Sequence, residues 1–255
     1  MASSLLSLNQ ALTPGYFVLY LLVALILGLT KAGLNGISLA TIPVMALIFG
    51  AKESTGILLP MLIIADIMAV IYYHRNAVWK HITRILPWVA AGILIALVTG
   101  NLISDTQFRI VMVTVVWIMI ILMILNDLRK KSGREIPENH FFAPIMGLSG
   151  GFATMIGNSA GPVFNLYFLA MRLPKKEFIG TGAWLYFIMN LGKLPLQIFV
   201  WKTITVNTII LNLLTIPVIA AGIFAGIHIV KIIPEKVYRY FVIIATLVAS
   251  AFLLI

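Results

Sequence analysis

Three charged residues lie inside otherwise apolar stretches of the sequence: Lys31, Asp66 and Lys193. An ionisable side chain at membrane depth is costly, and such residues commonly mark ion or substrate sites. The two lysines would attract an anion, with Asp66 as counter-ion or proton carrier. The alternative interpretation is an Asp–Lys pair that fixes helix packing and contacts no solute.

Two glycine-rich stretches of similar sequence interrupt the apolar segments, "GLTKAGLNGISLATIP" (28–43) and "GLSGGFATMIGNSAGP" (147–162). Glycine lets backbone approach a ligand closely, and the free amides at helix starts bind anions. We expect helices to begin near 35–38 and 158–159 with Asn and Ser as N-caps, and Pro43 and Pro162 in their first turns. The alternative is that small residues only allow close helix packing. The predicted binding residues are Lys31, Gly33, Asn35, Gly36, Ser38, Gly157, Asn158, Ser159, Gly161, Asn190 and Lys193.

The composition identifies a polytopic membrane protein. Hydrophobic residues make up 61% of the chain and charged residues 10%, and the mean hydropathy is +1.07. Continuous apolar runs indicate spanning helices rather than barrel strands. The predicted fold is therefore an all-α transmembrane bundle, with apolar segments at about 16–33, 35–49, 56–74, 83–100, 107–127, 141–157, 159–171, 179–200, 205–230 and 236–255.

Segments 35–49 and 159–171 are too short to cross a bilayer comfortably. At 1.5 Å per residue they reach roughly 20–23 Å, against a hydrocarbon core of about 30 Å. We expect each to form a broken or re-entrant pair with the segment before it, which requires protein or water to cover the interrupted backbone.

The two parts of the sequence resemble each other. Glu53, Gly56 and Asp66 recur with the same spacing as Glu177, Gly180 and Asn190, and "PWVAAG" (87–92) recurs as "PVIAAG" (217–222). We interpret 1–127 and 141–255 as transmembrane repeats joined by a cytoplasmic linker, 128–140. Because each repeat holds five segments, an odd number, the second would be inverted relative to the first.

The basic residues predict the orientation. Four connections rich in Lys and Arg fall on one face if the segments alternate, so that face should be cytoplasmic and both termini should lie on the other side of the bacterial inner membrane. We attribute the net charge of +10 mainly to this topology rather than to nucleic-acid binding. The chain has no cysteine, its histidines lack metal-ligand spacing, and neither a metal nor another cofactor is expected.

The two glycine-rich breaks, together with "KEFIGTGAWLYFIMNLGKLP" (176–195), resemble the sulfite exporter TauE/SafE family of membrane permeases over about residues 16–250. This resemblance implies two inverted halves and transport of small sulfur-containing or organic anions, such as sulfite, sulfonates or sulfoacetate. It also implies that the breaks, Asn190 and Lys193 are binding positions.

We therefore expect a secondary transporter for a small anion, working by alternating access and not an enzyme. Its expected partners are sulfite, a sulfonate or a carboxylate, and the lipid bilayer, and a homodimer is compatible with this interpretation. The alternatives are an anion channel of the same architecture and, ranked lower, a membrane-embedded enzyme or assembly subunit.

Overall fold

The computed structural model describes residues 13–31, 38–132 and 141–229, together with 240, 243–244, 247–248 and 251. Within these residues every regular element is a helix and there is no strand, which confirms the all-helical prediction. Three predicted site residues, Gly33, Asn35 and Gly36, lie outside the described residues, as does most of the predicted segment 236–255.

Ten helices are described. Five precede the polar connection: α1 (Pro14–Lys31), α2 (Ser38–Phe49), α3 (Ala51–Tyr73), α4 (Trp79–Leu102) and α5 (Asp105–Ser132). Five follow it: α6 (Phe142–Gly157), α7 (Gly161–Ala170), α8 (Lys175–Pro195), α9 (Val206–Leu213) and α10 (Ile216–Ile229). A 3₁₀ turn, His74–Asn76, follows α3, and a π-helical turn, Leu196–Val200, follows α8.

Five of the described helical stretches are long and apolar enough to cross a membrane. They are Pro14–Lys31, Ala51–Tyr73, Trp79–Leu102, Asp105–Leu125 and Lys176–Val200, and α9 with α10 adds a sixth if the bent pair is one span. The helices α2 and α7 have only 12 and 10 residues. The expectation of one short helix after each glycine-rich break is confirmed.

Several predicted boundaries were wrong. The predicted segment 205–230 is two helices, bent by 43° at the break between Leu213 and Ile216. Pro217 lacks the N–H that would continue the helix, and the hydroxyl of Thr215 donates to the carbonyl of Asn212 instead. The expected loop at 50–55 shrinks to Gly50, whose φ of 92° suits glycine. The helix α5 extends to Ser132 and therefore includes the first residues of the predicted linker, 128–140.

Glycines bring two helix pairs into backbone contact, α1 with α10 and α4 with α6. A Cβ added to any of four glycines would collide with a carbonyl oxygen of the facing helix, so only glycine permits this approach. The colliding pairs are Gly28 with Ile219 and Gly222 with Leu25 in the first helix pair, and Gly151 with Val89 and Gly92 with Leu148 in the second.

Candidate functional site

The carboxylate of Asp66 joins three helices inside the bundle. Asp66 lies well within α3 and is 0% exposed. The Nζ of Lys31, the last residue of α1, is 2.5 Å from Asp66 Oδ1, and Asn190 Nδ2 of α8 donates to Asp66 Oδ2 at 2.6 Å. Charge-assisted bonds of this kind are about twice as strong as neutral ones. The carboxylate is therefore held by one cation and one amide from two other helices.

Lys31 faces an aromatic ring as well as the carboxylate. Its side chain is 16% exposed, and its Nζ lies 5.3 Å from the centroid of the Tyr186 ring, within cation–π range. Tyr186 is one turn before Asn190 on α8, so both face the same way. A cation in the last turn of α1 also offsets the negative end of the helix dipole.

Lys193 is buried and bridges α8 to the break between α6 and α7. Its Nζ donates to the carbonyl oxygen of Thr154 at 3.2 Å, to the hydroxyl of Thr154 at 2.8 Å and to Oδ1 of Asn158 at 2.7 Å. An ammonium group has three donors, and each has an acceptor here. Of the two predicted lysines, it is Lys31 that pairs with Asp66, while Lys193 binds the end of α6.

The predicted N-caps Asn158 and Ser159 instead close the preceding helix. Asn158 has the left-handed φ of 53°, and its backbone N–H donates to the carbonyl of Thr154 at 2.9 Å. The hydroxyl of Ser159 donates back to the carbonyl of Ala153 at 3.1 Å. Asparagine favours both an N-cap and a left-handed C-terminal position, and here the second one applies.

The helix after the second break starts later than predicted, at Gly161, whereas α2 begins at Ser38, within the predicted range of 35–38. The N-cap of α7 is Ala160, which makes no side-chain capping bond. Pro162 lies in the first turn of α7 as predicted, but Pro43 lies in the second turn of α2, which begins at Ser38. The hydroxyl of Thr41 donates to the carbonyl of Ser38 at 2.7 Å.

Gly157 and Gly161 could each carry a Cβ in ordinary van der Waals contact. A Cβ on Gly157 would meet no atom nearer than 3.6 Å, and one on Gly161 would find the Tyr186 hydroxyl at 4.0 Å. Close helix packing therefore does not explain these two glycines. It does explain Gly150, where a Cβ would meet the Phe164 ring at 2.5 Å.

Polar contacts continue from Lys193 towards the π-helical turn. Asn158 Nδ2 donates to the carbonyl of Thr55 at 3.1 Å, and Gln197 Nε2 donates to the Thr55 hydroxyl at 3.2 Å. The hydroxyl of Thr203 in turn donates to Gln197 Oε1. Gln197 lies within this π-helical turn, and such turns often occur at functional sites. Its position therefore makes Gln197 a candidate site residue.

Four of these residues are absent from the set predicted from the sequence: Thr55, Thr154, Thr203 and Gln197. Gln197 carries a usable signal, because Tyr186, Asn190, Lys193 and Gln197 recur at helical spacing and share one face. The threonines carry none, since a single threonine in an apolar helix commonly bonds its own backbone.

The arrangement gathers ammonium, amide and hydroxyl groups inside the bundle, which are groups that can donate to or accept from a polar solute. Among the described residues no group of three or more His, Cys, Asp or Glu could hold a metal ion. Charged and amide side chains buried between membrane-length helices, next to two short helices, are typical of membrane proteins that move solutes, the class that includes the permeases.

Within that class the chain belongs to the sulfite exporter TauE/SafE family, whose model matches residues 20–253. The resemblance predicted from the glycine-rich breaks is thus confirmed, and members of this family are membrane transporters. No curated protein and no solved structure matches the chain significantly.

Proposed function

We propose that the protein is a secondary transporter that moves a small anion across the bacterial inner membrane by alternating access. The observation that carries the proposal is the charge inside the bundle. In the described part of the chain Asp66 is the one buried carboxylate, and it stands against the two ammonium groups of Lys31 and Lys193. An excess of positive charge inside the bundle favours an anionic solute. Family membership supports sulfite or an organosulfonate such as sulfoacetate as the cargo.

The proposal includes two inverted halves, and the contact between Asp66 and Asn190 supports it. These residues occupy equivalent positions in the two repeats of the sequence, and they are hydrogen-bonded to each other. Two equivalent residues touch when both lie near the axis that relates the halves. In inverted-repeat transporters the substrate site lies at this interface.

The glycine contacts support the same proposal. The helix α1 lies in the first predicted segment of its half and packs against α10, which lies in the fourth predicted segment (205–230) of the other half. In the same way α6, in the first segment of the second half, packs against α4, in the fourth segment of the first. Leu25 and Gly28 have the same spacing as Leu148 and Gly151, and the facing residues Val89 and Gly92 recur as Ile219 and Gly222. A duplication related by a two-fold axis produces such reciprocal contacts.

Reconstitution tests the transport proposal. The full chain in liposomes should take up radiolabelled sulfite with saturation, and preloading with unlabelled sulfite should accelerate uptake, as a carrier requires and a channel does not. Lys31→Ala and Lys193→Ala should abolish this uptake. The matched control is Lys52→Ala, because the Lys52 ammonium donates to the carbonyl of Gly100 away from the Asp66 cluster. Uptake that is unchanged in both site variants would contradict the proposal.

We also propose that Asp66 carries a proton during transport. Its carboxylate is shared between Lys31 and Asn190, so protonation would release the Lys31 ammonium towards the solute. Asp66→Asn should retain exchange of labelled for unlabelled sulfite but lose accumulation driven by a pH gradient. Normal pH-driven accumulation in this variant would exclude proton coupling through Asp66.

A further inference from the structure

The side-chain carbonyl of Asn190 is a buried acceptor without a partner. Asn190 is 3% exposed, and its Oδ1 has no hydrogen bond from any of the described residues. A buried polar atom left unpaired is costly, because it loses its water without gaining a replacement. Such an atom inside a permease points to a donor that arrives with the solute.

The direction of this carbonyl follows from its neighbours. Asn190 Nδ2 donates to Asp66 Oδ2, while the other oxygen of Asp66 is held by Lys31. An exchange of the amide oxygen and nitrogen would set Oδ1 against the carboxylate, which has no proton to donate while it is paired with a lysine. Oδ1 is therefore directed away from Asp66.

The surroundings of Asn190 combine positive charge with an aromatic hydroxyl. Tyr186 lies one turn before it on the same face of α8, and the Tyr186 hydroxyl is 4.0 Å from where a Cβ on Gly161 would lie. The Lys31 ammonium is bound to Asp66 and faces the Tyr186 ring. Since the ammonium has three donors, it has capacity for an anion close to Asn190.

We propose that Asn190 Oδ1 accepts a hydrogen bond from the transported solute, so that the site selects monoanions that carry an O–H or N–H group of their own. Hydrogensulfite and hydroxyalkanesulfonates belong to this class. The anionic group faces Lys31 and the donor faces Asn190. An anion that has only acceptors leaves Oδ1 unpaired. This inference rests on the anion-transport proposal and adds which chemical form is bound.

Two sulfonates that differ by one hydroxyl group provide the test. Binding of ethanesulfonate and of 2-hydroxyethanesulfonate to the purified full-length protein is measured by titration calorimetry. We expect the hydroxylated ligand to bind about tenfold more tightly, the effect of one additional buried hydrogen bond. Asn190→Leu, similar in shape but without the acceptor, should bind both ligands equally. Asn101→Leu, the same change at an exposed position, should keep the tenfold preference.

The outcomes separate this inference from the transport proposal. Equal binding of both ligands to the unmodified protein overturns the inference and leaves anion transport standing. A preference that persists in Asn190→Leu also overturns it, because another acceptor is then responsible. If neither ligand binds to the unmodified protein, both proposals are contradicted. If Asn190→Leu does not fold, Asn190→Ala takes its place, and a preference retained in that variant overturns the inference in the same way.

Discussion

The ion pair of Lys31 with Asp66 joins two groups of unequal burial. The single substitutions that break it should therefore lower the free energy of unfolding by different amounts. Lys31→Met leaves a carboxylate that is 0% exposed, with Asn190 as its remaining partner among these residues. Removing one member of a buried pair costs about 3–5 kcal/mol, and we expect this variant near the upper end. Asp66→Asn leaves an ammonium whose side chain is 16% exposed and lies near the Tyr186 ring. We expect the loss of unfolding free energy in Asp66→Asn to lie near the lower end of this range, about 3 kcal/mol.

The double variant Lys31→Met/Asp66→Asn completes the cycle. It leaves no charge without a partner, and the new amide can still accept from Asn190. Neutral replacement of a buried pair often costs little, so we expect the double variant within about 2 kcal/mol of the unmodified protein. The free energy of unfolding is measured by denaturing-detergent titration of the full chain in mixed micelles. Additive losses in the double variant would refute the reasoning, as would a milder effect of Lys31→Met than of Asp66→Asn.

Further substitutions test the packing of the helices. Gly92→Ala and Gly222→Ala each place a Cβ against a carbonyl oxygen and should each lower the free energy of unfolding by about 1–3 kcal/mol. By contrast, Gly192→Ala, where a Cβ meets nothing within 4 Å, should raise it by up to about 1 kcal/mol. Thermal unfolding measures all three, and an equal loss in the Gly192 variant would contradict the packing argument. In the same assay Tyr20→Phe, which removes the hydrogen bond to a buried amide oxygen of α9, should cost about 1–3 kcal/mol. Tyr16→Phe, at a side chain 42% exposed, should change nothing, and equal losses in the two would disprove the role of this bond.

Helices are predictable from this sequence, whereas helix interruptions are only partly so. Long apolar runs in a membrane have helix as their main solution, because the backbone must satisfy its own hydrogen bonds. Proline marks an interruption less reliably. Pro60 and Pro87 lie inside continuous helices, while Pro217 follows the break between α9 and α10. Whether a helix survives the loss of one donor depends on the helices packed around it.

The members of the charged centre were predictable, and an Asp–Lys pair was one of the two interpretations, but the sequence does not indicate which lysine pairs with Asp66. Lys31, Asp66 and Lys193 stand out because charge is rare in apolar segments. The choice of Lys31 as partner of Asp66 depends on where α1 ends relative to α3, which no local pattern encodes. The role of Thr154 could not be predicted for the same reason. Its hydroxyl contacts Lys193 only because the end of α6 lies against α8.

The reciprocal glycine contacts bear on the order in which the bundle assembles during synthesis. α1 and α4 precede their partners α10 and α6 in the sequence, so a helix that is inserted before its partner would expose its glycine face to lipid. Lipid tails are as apolar as the side chains they replace, and the wait carries little penalty. α1 waits longest, because nearly the whole described chain must emerge before α10 reaches it. The earliest described helix to be inserted is thus among the last to find its final neighbour.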